Sequence, residues 1–298
     1  MTAATAARTH LSAWLPRLVL APSFAAVLVC VYGFILFTLY LSFTGSKLLP
    51  VYEWLGFANY VTLFKLPAWH TALANLAIFG VLYIGVCIAI GVVLAIALDQ
   101  RIRAEGVLRA VYLYPMALSF IVTGTAWKWL LDPGVGLEQV MHVLGWQSFA
   151  FGWIKDRDMA IYTVVIAGVW QTSGFVMALF LAGLRGIPDD IVKAAQIDGA
   201  TGVALYRHVV LPQLRPTLLS AIVLLTHMAI KSYDLIIALT GGGPGRATEM
   251  PATFMYSYTF TRNQMAVGAS SAVIMLFTVM AVMVPYLYSE LRERRDAR

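Results

Sequence analysis

Six stretches of apolar residues, each about 20 long and so able to cross a bilayer, decide most of what this chain can fold into. They run near Leu18–Phe43, Ala72–Leu98, Val111–Leu131, Met159–Leu184, Thr217–Thr240 and Met265–Tyr288. Each is too long and too continuous for a strand of an outer-membrane barrel, and a backbone in hydrocarbon must satisfy its own hydrogen bonds. The expectation is therefore an all-α integral membrane protein with six transmembrane helices. Composition agrees: 60% of the residues are hydrophobic and 12% charged, where a soluble domain carries about a quarter charged residues. The first apolar run spans a bilayer and lacks a small-residue cleavage site, so it reads as a retained helix. The organisation expected is a cytoplasmic tail over 1–16, one transmembrane domain over 17–290 and a basic tail over 291–298.

Orientation follows from Lys and Arg in the flanks. With both termini inside, the inner side holds Arg8, Arg17, Arg101, Arg103, Arg109, Arg185, Lys193, Arg207, Arg215, Arg292, Arg294, Arg295 and Arg298. The outer side holds fewer: Lys47, Lys65, Lys128, Lys155, Arg157, Arg246 and Arg262. The net charge of +6 is accounted for by this bias and by contact with lipid headgroups, and calls for no nucleic-acid partner. Both cysteines, Cys30 and Cys87, fall in apolar spans and read as small buried residues. In the second span Gly80, Gly85 and Gly91 read as close-packing positions, and Pro115 is expected to kink the third. Short amphipathic helices are expected outside the spans, over 57–64 and 137–144.

No GxxxxGK[ST] loop, HExxH or GxSxG pattern occurs, so neither nucleotide binding through that loop nor intramembrane hydrolysis is expected of this chain. The polar residues inside spans carry what chemistry there is. His227, Lys231, Tyr233 and Asp234 lie in the outer half of the fifth span, and Gln171, Thr172 and Ser173 near the middle of the fourth. Ionisable groups at such depth are costly, and are either paired or functional. Lys231 and Asp234, three apart on a helix, share a face and read either as a mutual ion pair or as lining for a polar pathway. Gln171, Thr172 and Ser173 read either as bridges between helices or as part of the same pathway. After them, Gly241–Gly245 with Pro244 forms a permissive outer loop.

The longest inner segment, Leu184–Pro216, is too polar for hydrocarbon yet patterned. Asp189 and Asp190 suit a helix N-terminus beside Pro188, and Ile191, Val192, Ala194, Ala195 and Ile197 recur at helical spacing. Gly199 breaks the run. A second helix over 203–210 is expected to stop at Pro212 and Pro216. This segment, IPDDIVKAAQIDGATGVALYRHVVLPQLRP, resembles the cytoplasmic EAA signature of ABC importer permeases: Ala194, Ala195, a Gly four residues on at Gly199, then Leu211 and Pro212. Lys193 stands where that signature has Glu. GFANYVTLF ahead of Asn75, IDGA at Ile197–Ala200 (with Asp198) and KSYDLIIALTGGGPG at Lys231–Gly245 are similar to the maltose-permease-like, carbohydrate-uptake branch. YLYPMALSFIVTGTAWKWLLDPG, FLAGLRGIPDDIVKAAQIDGA and VPYLYSELR resemble its glucose/mannose permeases.

What this resemblance implies is a non-enzymatic subunit of a binding-protein-dependent sugar importer in a bacterial inner membrane. Its partners would be a second homologous permease, two ATPase subunits that carry the ATP and Mg, and an extracytoplasmic sugar-binding protein. The loop over 185–216 would be a coupling element seated on the ATPase, through Lys193, Ala194, Ala195, Asp198, Gly199, Leu211 and Pro212. The rival reading is a proton-coupled secondary sugar transporter using His227, Lys231 and Asp234. A structural subunit that moves no solute is the third.

Overall fold

A computed structural model describes residues 17, 19–100 and 103–296, with side chains as far as Tyr288. The tail over 1–16 with Arg8, Arg101 and the side chains of the basic C-terminal run lie outside the described residues. Those described are helical and form no sheet; a single isolated bridge joins Thr44 and Trp54. Four helices are long and apolar enough to cross a membrane. They are α1 (Val19–Ser42), α3 (Pro67–Asp99), α7 (Ala160–Arg185) and α13 (Met265–Asp296), the last through its part Met265–Tyr288. Two bent pairs bring the number to six if each counts as one span. The first is α4 (Glu105–Ala117) with α5 (Phe120–Leu130), the second α9 (Gly202–Gln213) with α10 (Arg215–Ile230). Between these lie α2 (Ala58–Lys65), α6 (Leu137–Val143), α8 (Asp189–Ile197), α11 (Asp234–Leu239) and α12 (Pro251–Tyr256). α2 and α6 match the two short helices expected outside the spans.

The chain divides into two compact units, residues 1–63 with 257–273, and residues 64–256 with 274–298. In the first, Asn59 closes the end of α1: its amide donates to the carbonyls of Ser42 at 2.9 Å and Thr44 at 2.8 Å. These are C-terminal carbonyls that the helix itself cannot satisfy. Phe43 packs beside them on Trp54, Phe57 and Tyr60 with ring centroids 5.1–5.5 Å apart. Ser270 and Ser271, fully buried, donate back to carbonyls of α13, a small-residue packing role.

The second unit is built on α3 and α7. α3 has 33 residues, which at about 1.5 Å each gives a rod of roughly 50 Å. Its buried positions Ala68, Ala72, Asn75, Phe79, Tyr83, Cys87, Gly91, Ala95 and Leu98 recur every three or four residues and so form one stripe. Gly91 lies on the stripe: a Cβ there would come within 2.6 Å of Val176. Gly80 and Gly85 lie off it with no atom within 4 Å of where a Cβ would stand, so within this chain only Gly91 of the three is a packing glycine. Gly174 of α7 brings α4 in against its backbone, since a Cβ would overlap the Tyr112 carbonyl. Gly124 does the same between α5 and α11, where a Cβ would meet Ala238 at 2.6 Å.

Two spans differ from expectation. The third does not kink at Pro115; helix continues to Ala117, Leu118 and Ser119 are extended, and α5 departs at 98°. Ser119 starts it as an N-cap, its hydroxyl accepting the Val122 N–H at 3.3 Å. The fifth is not continuous over Thr217–Thr240. α10 ends at Ile230, residues 231–233 form a turn, and α11 begins at Asp234.

Candidate substrate pathway and coupling loop

Both helix breaks border one cavity of about 120 Å³ in the second unit. Phe79 and Tyr83 of α3, Phe120 of α5, Gly168 of α7, Met228 of α10 and the turn Lys231–Leu235 line it. Phe79 and Tyr83, one helical turn apart, stack at 4.9 Å. Tyr83 donates its hydroxyl to Thr172 at 2.9 Å, which fixes the ring against α7. Tyr233 meets Tyr256 of α12 at 5.1 Å. The volume is below the roughly 300–1,000 Å³ of a closed small-molecule pocket. It is a niche lined by aromatic rings and by a charged turn.

The residues picked out in the sequence separate into groups here. Lys231, Tyr233 and Asp234 line the niche. Their expected i, i+3 pairing fails because the helix they were to share ends: Lys231 caps α10, with its N–H on the His227 carbonyl at 3.2 Å, and Asp234 opens α11. No salt bridge joins them among the described residues. His227 is exposed and borders instead a small gap with Val279, Val282 and Met283 of α13. Thr172 acts through Tyr83. Gln171 is buried and donates at 2.8 Å to the Leu118 carbonyl, the acceptor that the α4–α5 break leaves without a helical donor. Ser173 is half-buried and makes no side-chain hydrogen bond among the described residues. Phe79, Tyr83, Phe120 and Met228 were not anticipated, although Asn75, Phe79 and Tyr83 follow one another at i, i+4 and so share the buried face of α3.

Among the described residues, no three His, Cys, Asp or Glu side chains gather as metal ligands. Trp127 and Trp170 pack edge to face at 5.8 Å, while Trp129 is 69% exposed, as suits an interfacial belt.

The polar segment after α7 has the helix, turn, helix form that its pattern predicts. α8 starts with Asp189 and Asp190 behind an extended Pro188. It ends in a Schellman motif: Gly199 has φ +89°, its N–H bonds to the Gln196 carbonyl, and the Ala200 N–H reaches the Ala195 carbonyl at 2.9 Å. α9 then runs past Pro212 rather than stopping there. The widened π turn over Tyr206–Val210 accommodates the proline, which lacks an N–H and crowds the preceding turn. Pro216 opens α10.

Val192, Ala195, Ala200 and Val209 pack on the core of the unit. Ala194, Ile197 and Asp198 face out, as do Val203, Leu211 and Pro212; Ile197 is 86% and Val203 82% exposed. Lys193, at the position of the signature Glu, lies 3.9 Å from Asp189 one turn back, both well exposed. Arg185, the last residue of α7, meets Glu105 of α4 at 2.6 Å and Asp99 of α3 at 3.9 Å. Gln100 donates to the Tyr206 hydroxyl at 3.1 Å. The segment is thus tied by polar contacts to α4 and to the end of α3, and still exposes an apolar face.

The model of the family described as binding-protein-dependent transport system inner membrane component matches residues 87–293. The chain belongs to that family. Its relatives within it include a probable ABC transporter permease of Pyrococcus horikoshii, 40% identical over 91% of this chain and 94% of the relative. A xylose/arabinose import permease of Haloferax volcanii is 34% identical over 91% and 86%. A trehalose/maltose transport system permease of Thermococcus litoralis is 29% identical over 94% of each. The fold of this permease also matches a chain of a solved bacterial ABC transporter involved in alginate import, with a TM-score of 0.80 at 18% identity over 98% of this chain and 99% of that one.

Proposed function

We propose that this permease is the membrane-spanning subunit of an ABC sugar importer, with six spans, both termini inside, and the loop over 185–216 as its coupling element. The observation that carries this reading is the loop itself. A helix stopped by Gly199 presents Ile197 and Val203 almost fully to solvent. Burying each would yield about 1.5–3 kcal/mol, and an apolar patch left uncovered on a polar segment suits cover by another protein. An ATPase subunit, one of two, is that cover; ATP and Mg belong to it. A second permease completes the pathway and an extracytoplasmic sugar-binding protein delivers the solute.

The sugar is a monosaccharide, glucose or mannose. The relatives support a sugar in general; support for glucose or mannose comes from the resemblance of YLYPMALSFIVTGTAWKWLLDPG and VPYLYSELR to such permeases, and from the niche, lined by Phe79 and Tyr83 together with hydrogen-bonding groups at Lys231, Tyr233 and Asp234. That pairing of apolar ring face and polar edge suits a pyranose. The proton-coupled alternative needs His227, Lys231 and Asp234 to act together, and His227 borders a separate gap rather than the niche, which weighs against it.

The test is the complex reconstituted in proteoliposomes. Sugar-stimulated ATP hydrolysis should be abolished by Ala194→Trp or Gly199→Val with the subunits still assembled; wild-type coupling in both variants would overturn the assignment. Stimulation by glucose and mannose, and not by xylose, maltose or trehalose, is the expected specificity.

A further inference from the structure

At the C-terminal end of α3, away from the niche, a cluster of polar side chains meets the base of the loop over 185–216. Asp99 is the last residue of α3, Gln100 its C-cap, and Glu105 opens α4. The Arg185 guanidinium reaches both acids, Glu105 at 2.6 Å through a terminal nitrogen and Asp99 at 3.9 Å through Nε. Gln100 donates to the Tyr206 hydroxyl at 3.1 Å. Two neighbouring residues at the end of α3 therefore hold the loop in two places, at its first residue and within its second helix.

Local helix physics does not account for Asp99. A carboxylate in the last turn of a helix faces the negative end of the macrodipole, so α3 by itself disfavours it and Arg185 offsets the cost. Glu105 in the first turn of α4 and Arg185 in the last turn of α7 both sit at the favourable ends. Beneath the cluster the backbone is fixed. Leu98, Leu184 and Leu205, the sequence neighbours of Asp99, Arg185 and Tyr206, are buried in one core. Gly183 brings α7 against the start of α10, where a Cβ would meet Thr217 at 2.7 Å, so the two ends of the loop are held together.

We infer that Arg185, with Asp99 and Glu105, is a positioning cluster that carries displacement of the loop into α3 and α4, and through them to the niche. The inference rests on the importer reading. By its covalent connections the loop is joined only to α7 and α10; the cluster adds two helices that no bond of the chain links to it directly. α3 is unbroken from Tyr83 to Asp99, a rod of about 24 Å, so a shift at Asp99 moves Phe79 and Tyr83 with it. α4 leads to the break at Leu118, beyond which Phe120 lines the niche. A guanidinium suits this place, because its fork serves two carboxylates at once where an ammonium is a single point of charge.

The experiment reads ATP hydrolysis by the complete complex in proteoliposomes, with and without sugar-loaded binding protein. Glu105→Gln should lower the stimulated rate about three- to fivefold, while unstimulated hydrolysis and the ATPase content of the complex stay within about twofold of wild type. Glu105→Arg should lower it further, and exchanging the charges in the double variant Arg185→Glu, Glu105→Arg should restore at least half of the loss. High salt should bring the wild type toward Glu105→Gln. Lys155→Gln, which breaks an exposed ion pair with Asp132 elsewhere in the chain, should leave stimulation unchanged. Full stimulation in both Glu105 variants overturns the inference. So does a loss that charge exchange fails to restore, or one accompanied by equal loss of ATPase subunits from the purified complex, which would make the cluster a tie that only holds the fold. A wild-type complex whose hydrolysis ignores the sugar-loaded binding protein would instead overturn the importer reading itself.

Discussion

Polar side chains around the niche bridge one helix to another; in the loop between α7 and α10, apolar side chains stand uncovered by the rest of the chain. Around the niche, Thr172 holds Tyr83, and Gln171 holds the Leu118 carbonyl. In the loop Ile197 and Val203 hold nothing. A region whose helix breaks are bridged by its own side chains can keep its shape alone, and needs a ligand only to function. A region that leaves apolar groups uncovered has, under the reading proposed above, a partner that covers them. The same contrast tells which substitutions should unfold this permease and which should only disconnect it.

The largest effect is expected in the enclosed region. Gly174 has the α4 backbone in the space a side chain would need, so Gly174→Val has no rotamer that avoids the Tyr112 carbonyl. Overpacking against backbone costs about 1–3 kcal/mol or more, and the expected result is loss of folded protein from detergent extracts in size-exclusion chromatography. Gly80→Ala, in open space, should extract like wild type. Equal yields for the two would remove the packing half of the comparison.

Next is Gln171→Leu. It keeps volume but leaves the part-buried Leu118 carbonyl without its donor, at a cost near the lower end of the about 1–3 kcal/mol of a buried unsatisfied acceptor. The melting temperature of the purified complex should fall, and transport should fall with it as the α4–α5 break loosens. A variant as stable as wild type would mean that Gln171 bridges nothing of consequence, and that its place in the pathway needs another explanation.

Gly199→Val belongs to the exposed region and should behave in the opposite way. Nothing lies within 4 Å of its Cβ position, so only the left-handed backbone is penalised, by about 1–2 kcal/mol, and locally. Extraction yield and melting temperature should stay close to wild type while sugar-stimulated hydrolysis is lost. A melting temperature lowered as far as in Gln171→Leu would show that the loop is part of the folded core, and the contrast between the regions would disappear.

Much of this was readable in the sequence, for reasons that also explain what was not. The apolar windows anticipate the spanning helices α1, α3, α7 and α13, because hydrocarbon imposes length and composition residue by residue. The loop was legible because its signals are local: acidic residues at one helix end, a glycine at the other, and an Ala-Ala-to-Gly spacing. The helix breaks were not. At Leu118 the missing helical hydrogen bond is replaced by Gln171, 53 positions away, and nothing near Leu118 announces that. Lys231 and Asp234 were recognised as costly, but a pairing rule that assumes a continuous helix has no force once the helix ends between them. Gly91 differs from Gly80 and Gly85 through its place on the Tyr83–Cys87–Ala95 stripe, a distinction that the glycines by themselves do not carry.

The smallest effect on stability, and the sharpest test of what covers the loop, is Lys193→Glu. In the free permease Lys193 faces Asp189 at 3.9 Å with both side chains well exposed, and an exposed i, i+4 pair contributes about 0.3–0.5 kcal/mol. Reversal replaces that attraction with a repulsion of similar size, so the melting temperature of the isolated subunit should hardly move. Its effect in the complex depends on what faces the loop. If the ATPase groove presents a carboxylate to Lys193, Lys193→Glu sets like charges against each other and ATPase retention on the purified complex should fall about tenfold, with the loss reduced at high salt. If the groove meets only Ile197 and Val203, retention should match wild type, and Lys193 is held by Asp189 alone. Pull-down of the ATPase at low and high salt separates the two. It also decides whether the exposed region recognises its partner by charge as well as by apolar cover.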